Sequence, residues 1–207
     1  MKYVIATRTL VLASSVTALN VLQGNSFVAK ETLAAAKDIE TPSLGYSVDK
    51  AAGNAIVVDQ AVYERVDDKI FKANKFKSLI KDHALHETLN GENMVEKYEI
   101  YRKKNEDEIM AVVRFGRSLN GHPRIVHGGI TSLVFDNSFG WLFMCLNKPS
   151  AVTANLMINF RAPLKQNTTT ILRAKMVREE GRKMFMEATL HEPSADGREE
   201  KIVADSN

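Results

Sequence analysis

The 207-residue sequence predicts an α+β domain, one long helix packed against an antiparallel sheet. Three observations carry this. From Gly129 to Leu146 the chain is apolar almost all the way round a helix, with Ile130, Leu133, Val134, Phe135, Phe139, Trp141, Leu142, Phe143, Met144 and Leu146 leaving no wide polar face. A helix apolar on every side is buried in a core or a membrane. The flanking segments have strand length and strand patterning, bounded by turn residues. Their order is strand, strand, long helix, strand, strand, strand, short strand, so one sheet can wrap around one helix.

The whole chain sets bounds first. Its length suits one domain of about 130–150 residues plus an extension. Charge is nearly balanced, 28 basic against 25 acidic residues, which gives no nucleic-acid signal. The single cysteine, Cys145, excludes an intramolecular disulfide framework and a Cys-based zinc site, and its place in the apolar helix gives it a packing role.

Residues 1–30 hold Lys2, Arg8 and Lys30 and no acid, and are rich in small and hydroxylated residues. That composition predicts a targeting segment, with a mitochondrial presequence as the first reading and a secretory signal or single membrane anchor as the second. A plain N-terminal helix is the third. An anchor would associate the protein with a membrane. Residues 31–90 read as a linker, through Thr41-Pro42 and Gly53-Asn54 to about residue 58, followed by helical sequence in which Phe76, Leu79, Ile80 and Leu85 share a face. His83 and His86 lie three apart there, and read as a solvated pair rather than a metal site.

Residues 91–207 form the domain proper. Val95–Lys103 and Ile109–Phe115 are strands joined by a turn at Lys104–Asp107, and residues 116–126 are a loop feeding the helix. The clearest strand is Val152–Arg161, where Val152, Ala154, Leu156, Ile158 and Phe160 alternate with Thr153, Asn155, Met157, Asn159 and Arg161. Thr169–Val177 pairs with Lys183–His191 through Glu180-Gly181, and after the Asp196-Gly197 turn a last strand starts at Lys201.

The helix carries one carboxylate, Asp136, near its middle. An unpaired buried carboxylate costs several kcal/mol or stays protonated, so Asp136 needs a dedicated partner or a cavity where its charge is used. Before it, Gly128 and Gly129 let backbone N–H groups approach a ligand closely, and a helix start holds unpaired donors and partial positive charge. A membrane reading of the helix is weak, because an acid at the centre of a span is expensive.

The set His127-Gly128-Gly129, Asp136 nine residues after the histidine, and Thr153-Ala154-Asn155-Leu156 followed by Asn159-Phe160-Arg161-Ala162-Pro163 resembles the hotdog-fold acyl-CoA thioesterases, nearest the phenylacetate-pathway-like branch. The match covers roughly residues 95–205. The resemblance implies a hotdog fold, an antiparallel five- or six-stranded sheet wrapped around the central helix, paired into a homodimer or a dimer of dimers. It implies Asp136 as general base or nucleophile, Thr153 as the residue that positions water, and Gly128 as the N–H donor to the thioester carbonyl. His127 would lie beside that oxyanion site, or only cap the helix. Asn120 in the preceding loop would help hold the thioester. Relatives continue their last strand further than Asn207, so an altered edge strand or a truncated sequence is a departure from the pattern.

Thioester hydrolysis needs a fixed donor for the developing oxyanion and a base for water. Thr153 shares the polar face of its strand with Asn155. An apolar tunnel lined by the helix and Met157 suits an acyl chain. Coenzyme A enters as part of the substrate, not as a cofactor, and its phosphates call for exposed cations: Arg161, Lys165, Arg182 and Lys183, which a solvated strand edge explains equally well. No metal cluster or dinucleotide glycine motif is visible. A non-catalytic hotdog that binds an acyl ligand or a regulatory partner, and a hotdog hydratase, are the competing readings.

Overall fold

The computed structural model describes residues 44–68, 81–148, 151–197 and 200–206. The targeting segment, residues 31–43 of the linker, and Phe76, Leu79 and Ile80 lie outside them.

The elements, in chain order, are β1 Tyr46–Asp49, β2 Ala55–Val58, β3 Tyr63–Arg65, β4 Val95–Lys103, β5 Glu108–Phe115, β6 Asn120–His122, β7 Ile125–Val126, the helix α1 Gly128–Cys145, β8 Ile158–Phe160, β9 Thr168–Glu180, β10 Lys183–Pro193 and β11 Glu200–Ser206. Seven strands form one sheet in the order β3-β4-β5-β9-β10-β11-β8, every neighbour antiparallel. The expected five or six are exceeded by the two three-residue edges, β3 and β8. This sheet around one long helix is the hotdog fold.

The inner face of the sheet holds α1. Ile109, Ala111, Val113 and Phe115 of β5 meet Leu172 and Ala174 of β9 and Val134, Phe135, Trp141 and Leu142 of the helix in one core. Between them, Met110 and Val112 point to the other face, where they meet Ile171 and the side chains of Tyr46, Ile56, Val58 and Tyr63. Strand β5 is therefore covered on both sides, which is why its sequence is nearly continuous apolar rather than alternating.

The covering layer is a correction to the sequence reading. Residues 46–58, expected as linker, form the β1–β2 hairpin, in register Tyr46↔Val58 to Asp49↔Ala55. The Gly53-Asn54 signal is its turn, with φ of +68° and +64°. Residues 63–65, expected as helix, are strand β3, paired with β4. Leu85 does pack into the core, from a single π-type turn over Ala84–Thr88.

A second correction concerns Val152–Arg161. Only Ile158–Phe160 forms ladder bonds, pairing with Ala204–Ser206 of β11. Residues 152–157 run past Ser206, find no partner strand among the described residues, and stay open: Val152 is 90% exposed. Alternation describes a strand's two faces but cannot supply its neighbour. No helix among the described residues is long and apolar enough to cross a membrane.

Candidate active site

The site begins where α1 begins. His127 is its N-cap, in extended conformation, and its Nδ1 accepts the Gly129 N–H at 2.9 Å. An imidazole whose Nδ1 accepts carries its proton, when neutral, on Nε2, so that edge is left as a donor. The Gly129 amide is thereby used inside the protein. Gly128 is the one of the two glycines whose N–H has no acceptor among the described residues. Neither glycine position has room to spare: a Cβ on Gly128 would lie 3.2 Å from the ring of Phe160, and one on Gly129 would lie 3.0 Å from His127 Nδ1. The β6–β7 hairpin closes over the cap, with the His127 N–H bonded to Leu119 O at 2.8 Å. Gly121 approaches so closely that a Cβ there would fall 2.8 Å from His127 Cδ2.

Further along, α1 turns two unlike faces outward. Val134, Phe135, Ser138, Trp141, Leu142 and Cys145 are buried against the sheet, and burial pushes the Cys145 thiol upward, as fits a packing role. On the opposite side Gly129, Leu133, Asp136, Gly140 and Phe143 follow at three- and four-residue steps, each exposed or half-exposed. The expectation of a fully buried carboxylate is corrected: Asp136 is half-exposed in the single chain. Its dedicated partner is there nonetheless. The segment after α1 brings Thr153 over this face, and Thr153 Oγ1 donates to Asp136 Oδ1 at 2.6 Å. A hydroxyl that donates its proton to a carboxylate keeps two lone pairs to receive a water proton, and the carboxylate keeps acceptor sites for another. Asp136 and Thr153 thus sit together, while Gly128 stands eight residues away on the same helix, about 12 Å along its axis.

A polar cluster that sequence reasoning missed lies beside Asp136. His86 Nε2 accepts from Trp141 Nε1 and from Asn137 Nδ2, each at 3.1 Å. Asn137 also donates to the Tyr98 hydroxyl at 3.2 Å, and that hydroxyl shares a 3.0 Å hydrogen bond with Ser138 Oγ. Three residues of α1 are therefore tied to β4 and to the π turn. The reading of His83 and His86 as a solvated pair is corrected: His83 Nδ1 accepts from Leu85 and His86 N–H groups and caps the turn, and His86 is held in the network. Burial first, then the neighbouring His83, lowers His86 to about 4. The polar neighbours Asn137 and Ser138 were the available signal, but His86 is 51 and 55 residues from its partners.

The other candidates divide. Asn120 points to Gln166, its Nδ2 donating to Oε1. Asn155 is exposed on the Thr153 segment. Arg161 is committed to Asp205, which also receives Asn159 Nδ2 at 2.8 Å; the Arg161 guanidinium beside it holds Asp205 below the usual carboxylate range. Arg182 and Lys183 lie at the β9–β10 turn, at the far end of the longest strands. Among the described residues no cluster of three His, Cys, Asp or Glu side chains could hold a metal.

Parts of this chain are similar to known proteins. Residues 124–196 match the thioesterase superfamily model. Rat acyl-coenzyme A thioesterase THEM4 is 30% identical over 94 residues, 45% of this chain and 40% of that protein. The mouse protein of the same name is 28% identical over 93 residues. The chain thus spans about 40% of the length of these relatives. Among solved structures, the E. coli PaaI protein of the phenylacetic acid degradation operon has a TM-score of 0.48 and 18% identity, over 62% of this chain and 83% of that one. Residues 124–196 of this chain thus resemble the thioesterase superfamily, and that matched segment holds both the His127 helix cap and the Asp136–Thr153 pair.

Proposed function

We propose that this protein is an acyl-CoA thioesterase that hydrolyses a fatty acyl-CoA to the free acid and coenzyme A. The observation that carries the reading is the Thr153–Asp136 hydrogen bond on the open face of α1. Thr153 holds a water against Asp136. Asp136 takes one proton as the water oxygen attacks the thioester carbon, and the Gly128 N–H, with His127 Nε2–H beside it, stabilises the oxyanion. Collapse of that intermediate breaks the C–S bond, and the thiolate leaves with the proton that Asp136 took. The half-buried Leu133, Phe139, Phe143 and Met144 offer the acyl chain an apolar surface. The relatives named as acyl-coenzyme A thioesterases support coenzyme A as the thiol.

Twelve ångströms separate donor from base along one helix, whereas both must come within about 3 Å of the reacting atoms. The site is therefore composite in this reading: Gly128 and His127 from one chain, Asp136 and Thr153 from a second, in a homodimer or dimer of dimers. Support comes from the open α1 face and from the edge made by β8 and the segment before it, where Val152, Met157 and Phe160 are 90%, 49% and 55% exposed. The acid-free start with Lys2 and Arg8 supports a mitochondrial address; a reporter carrying residues 1–30 is expected in mitochondria, and a cytosolic or secreted reporter would overturn that address.

The test is thiol release from acyl-CoAs of graded chain length. Turnover that favours medium or long chains is expected. Binding of acyl ligands without thiol release from any of them would leave the non-catalytic binder instead.

A further inference from the structure

Helix α1 is apolar nearly all the way round, so hydrophobic burial alone is a weak guide to which side meets the sheet. The site nevertheless needs one choice, with Asp136 turned outward under Thr153. Something directional has to set the rotation of the helix about its own axis.

Hydrogen bonds are directional, and α1 makes a set of them from one arc. At about 100° per residue, Asn137, Trp141 and Ser138 fall within an arc of about 100°, and Asp136 lies about 150° from its middle. Each of the three bonds a group outside the helix. Trp141 Nε1 is a donor only, so His86 Nε2 is the acceptor that it shares with Asn137, at 3.1 Å from each. The Tyr98 hydroxyl meets Asn137 Nδ2 at 3.2 Å and Ser138 Oγ at 3.0 Å. Both anchors are held without α1. Tyr98 lies on β4, opposite Val113 of β5, and the Ala84–Thr88 turn that carries His86 is closed by the Leu89 N–H on Ala84 O at 2.8 Å. Rotation of α1 in either sense would pull against these bonds. The leverage is large. A side chain reaches roughly 5–6 Å from the helix axis, so a turn of about 10° moves the Asp136 carboxylate by about 1 Å. A misplacement of that size costs about 100-fold in rate.

We propose that His86, Asn137 and Tyr98 are positioning residues that set the rotation of α1 and so aim the Asp136 carboxylate at Thr153 and the attacking water. The role rests on the thioesterase reading for its effect on rate. Its geometric content does not, because without the network the Thr153–Asp136 bond should loosen. It also gives the Ala84–Thr88 turn and β4, which both precede the matched residues 124–196, a part in the site.

The main variant is Asn137→Leu. The position is half-exposed, Trp141 keeps its acceptor and Ser138 keeps its bond to Tyr98, so the fold should hold. For thiol release from an acyl-CoA, kcat should fall about tenfold with KM within about twofold of the wild type. His86→Leu frees two donors and should lower kcat by about 100-fold, while His86→Gln restores an acceptor and should recover most of that, each measured well below its own melting temperature. A double-mutant cycle separates aim from general loosening. On an Asp136→Asn background there is no base to aim, so Asn137→Leu should change the residual kcat by less than about twofold. Crystal structures of wild type and Asn137→Leu supply a readout that needs no turnover: the 2.6 Å separation of Thr153 Oγ1 and Asp136 Oδ1 should lengthen in the variant, by about 1 Å. Unchanged kcat in both Asn137→Leu and His86→Leu, or an equal loss from Asn137→Leu on the two backgrounds, would overturn the positioning role while hydrolysis stands. If the wild type releases no thiol, hydrolysis falls and the Thr153–Asp136 separation alone decides: a lengthened bond supports the proposal, and an unchanged one overturns it.

Discussion

Replacing His86 by leucine removes the acceptor shared by the Trp141 indole and the Asn137 amide. Leucine fills much of the imidazole volume, so the main cost is two donors left unmatched. Trp141 is 4% exposed and bears the full penalty, about 1–3 kcal/mol; Asn137 is half-exposed and bears less. The sum, about 2–4 kcal/mol, is a large share of a domain's stability. Denaturant unfolding should show the midpoint falling with an unchanged slope. His86→Gln, whose amide oxygen can accept, should lose about half as much. The same network predicts a pH effect. His86 is lowered from 6.5 to about 4 in the fold, so the unfolded chain binds the extra proton between those values. Stability from this group is present above pH 6.5 and is lost as pH falls towards 4. A shift of that size corresponds to roughly 3 kcal/mol, which solvent screening of a half-exposed ring reduces to about 1–2 kcal/mol. His86→Leu should flatten that part of the profile. A loss under about 0.5 kcal/mol, a glutamine variant no better than leucine, or an unchanged pH profile would refute the assignment of His86 as acceptor.

Two further outcomes follow from the site. Thr153→Val keeps the shape and removes the hydroxyl that bonds Asp136, and should lower kcat by about 10- to 100-fold with KM nearly constant; an unchanged kcat would make Thr153 an ordinary surface threonine. Mixing Asp136→Ala chains with Gly128→Pro chains, each inactive alone, should restore one good site of the two in a mixed dimer, and demonstrable exchange without activity would place base and donor in one chain. Proline is acceptable at the first helical position after the extended His127, provided the exposed Phe160 ring yields.

What could be read from the sequence was whatever repeats locally. The helix and its order among the strands were legible because apolar period and turn residues mark them. The Tyr46–Val58 hairpin was not, since its four-residue strands offer too little alternation and its burial depends on Met110, Val112 and Ile171 far away. Strand β3 is shorter still. Val152–Arg161 showed the opposite error: the alternation is genuine, but among the described residues only Ile158–Phe160 has a neighbouring strand to pair with. At the site, the proximity of Asp136 and Thr153 was expected from family resemblance, and no spacing rule would have given it. The exposure of Asp136 was misread because apolar residues on the open face of α1 look, in sequence, like core. His86 was misread because its acceptor role exists only after the turn docks on α1.

The most direct test of the central claim is Asp136→Asn. The amide can still accept from Thr153 Oγ1, and the position is half-exposed, so the variant should fold and melt like the wild type. It cannot take a proton from water. With purified protein and an acyl-CoA that the wild type cleaves, kcat for thiol release should fall by about 100-fold or more while KM holds. A folded Asp136→Asn protein that releases thiol within about threefold of the wild-type rate would contradict the account, because the carboxylate would then not be the base.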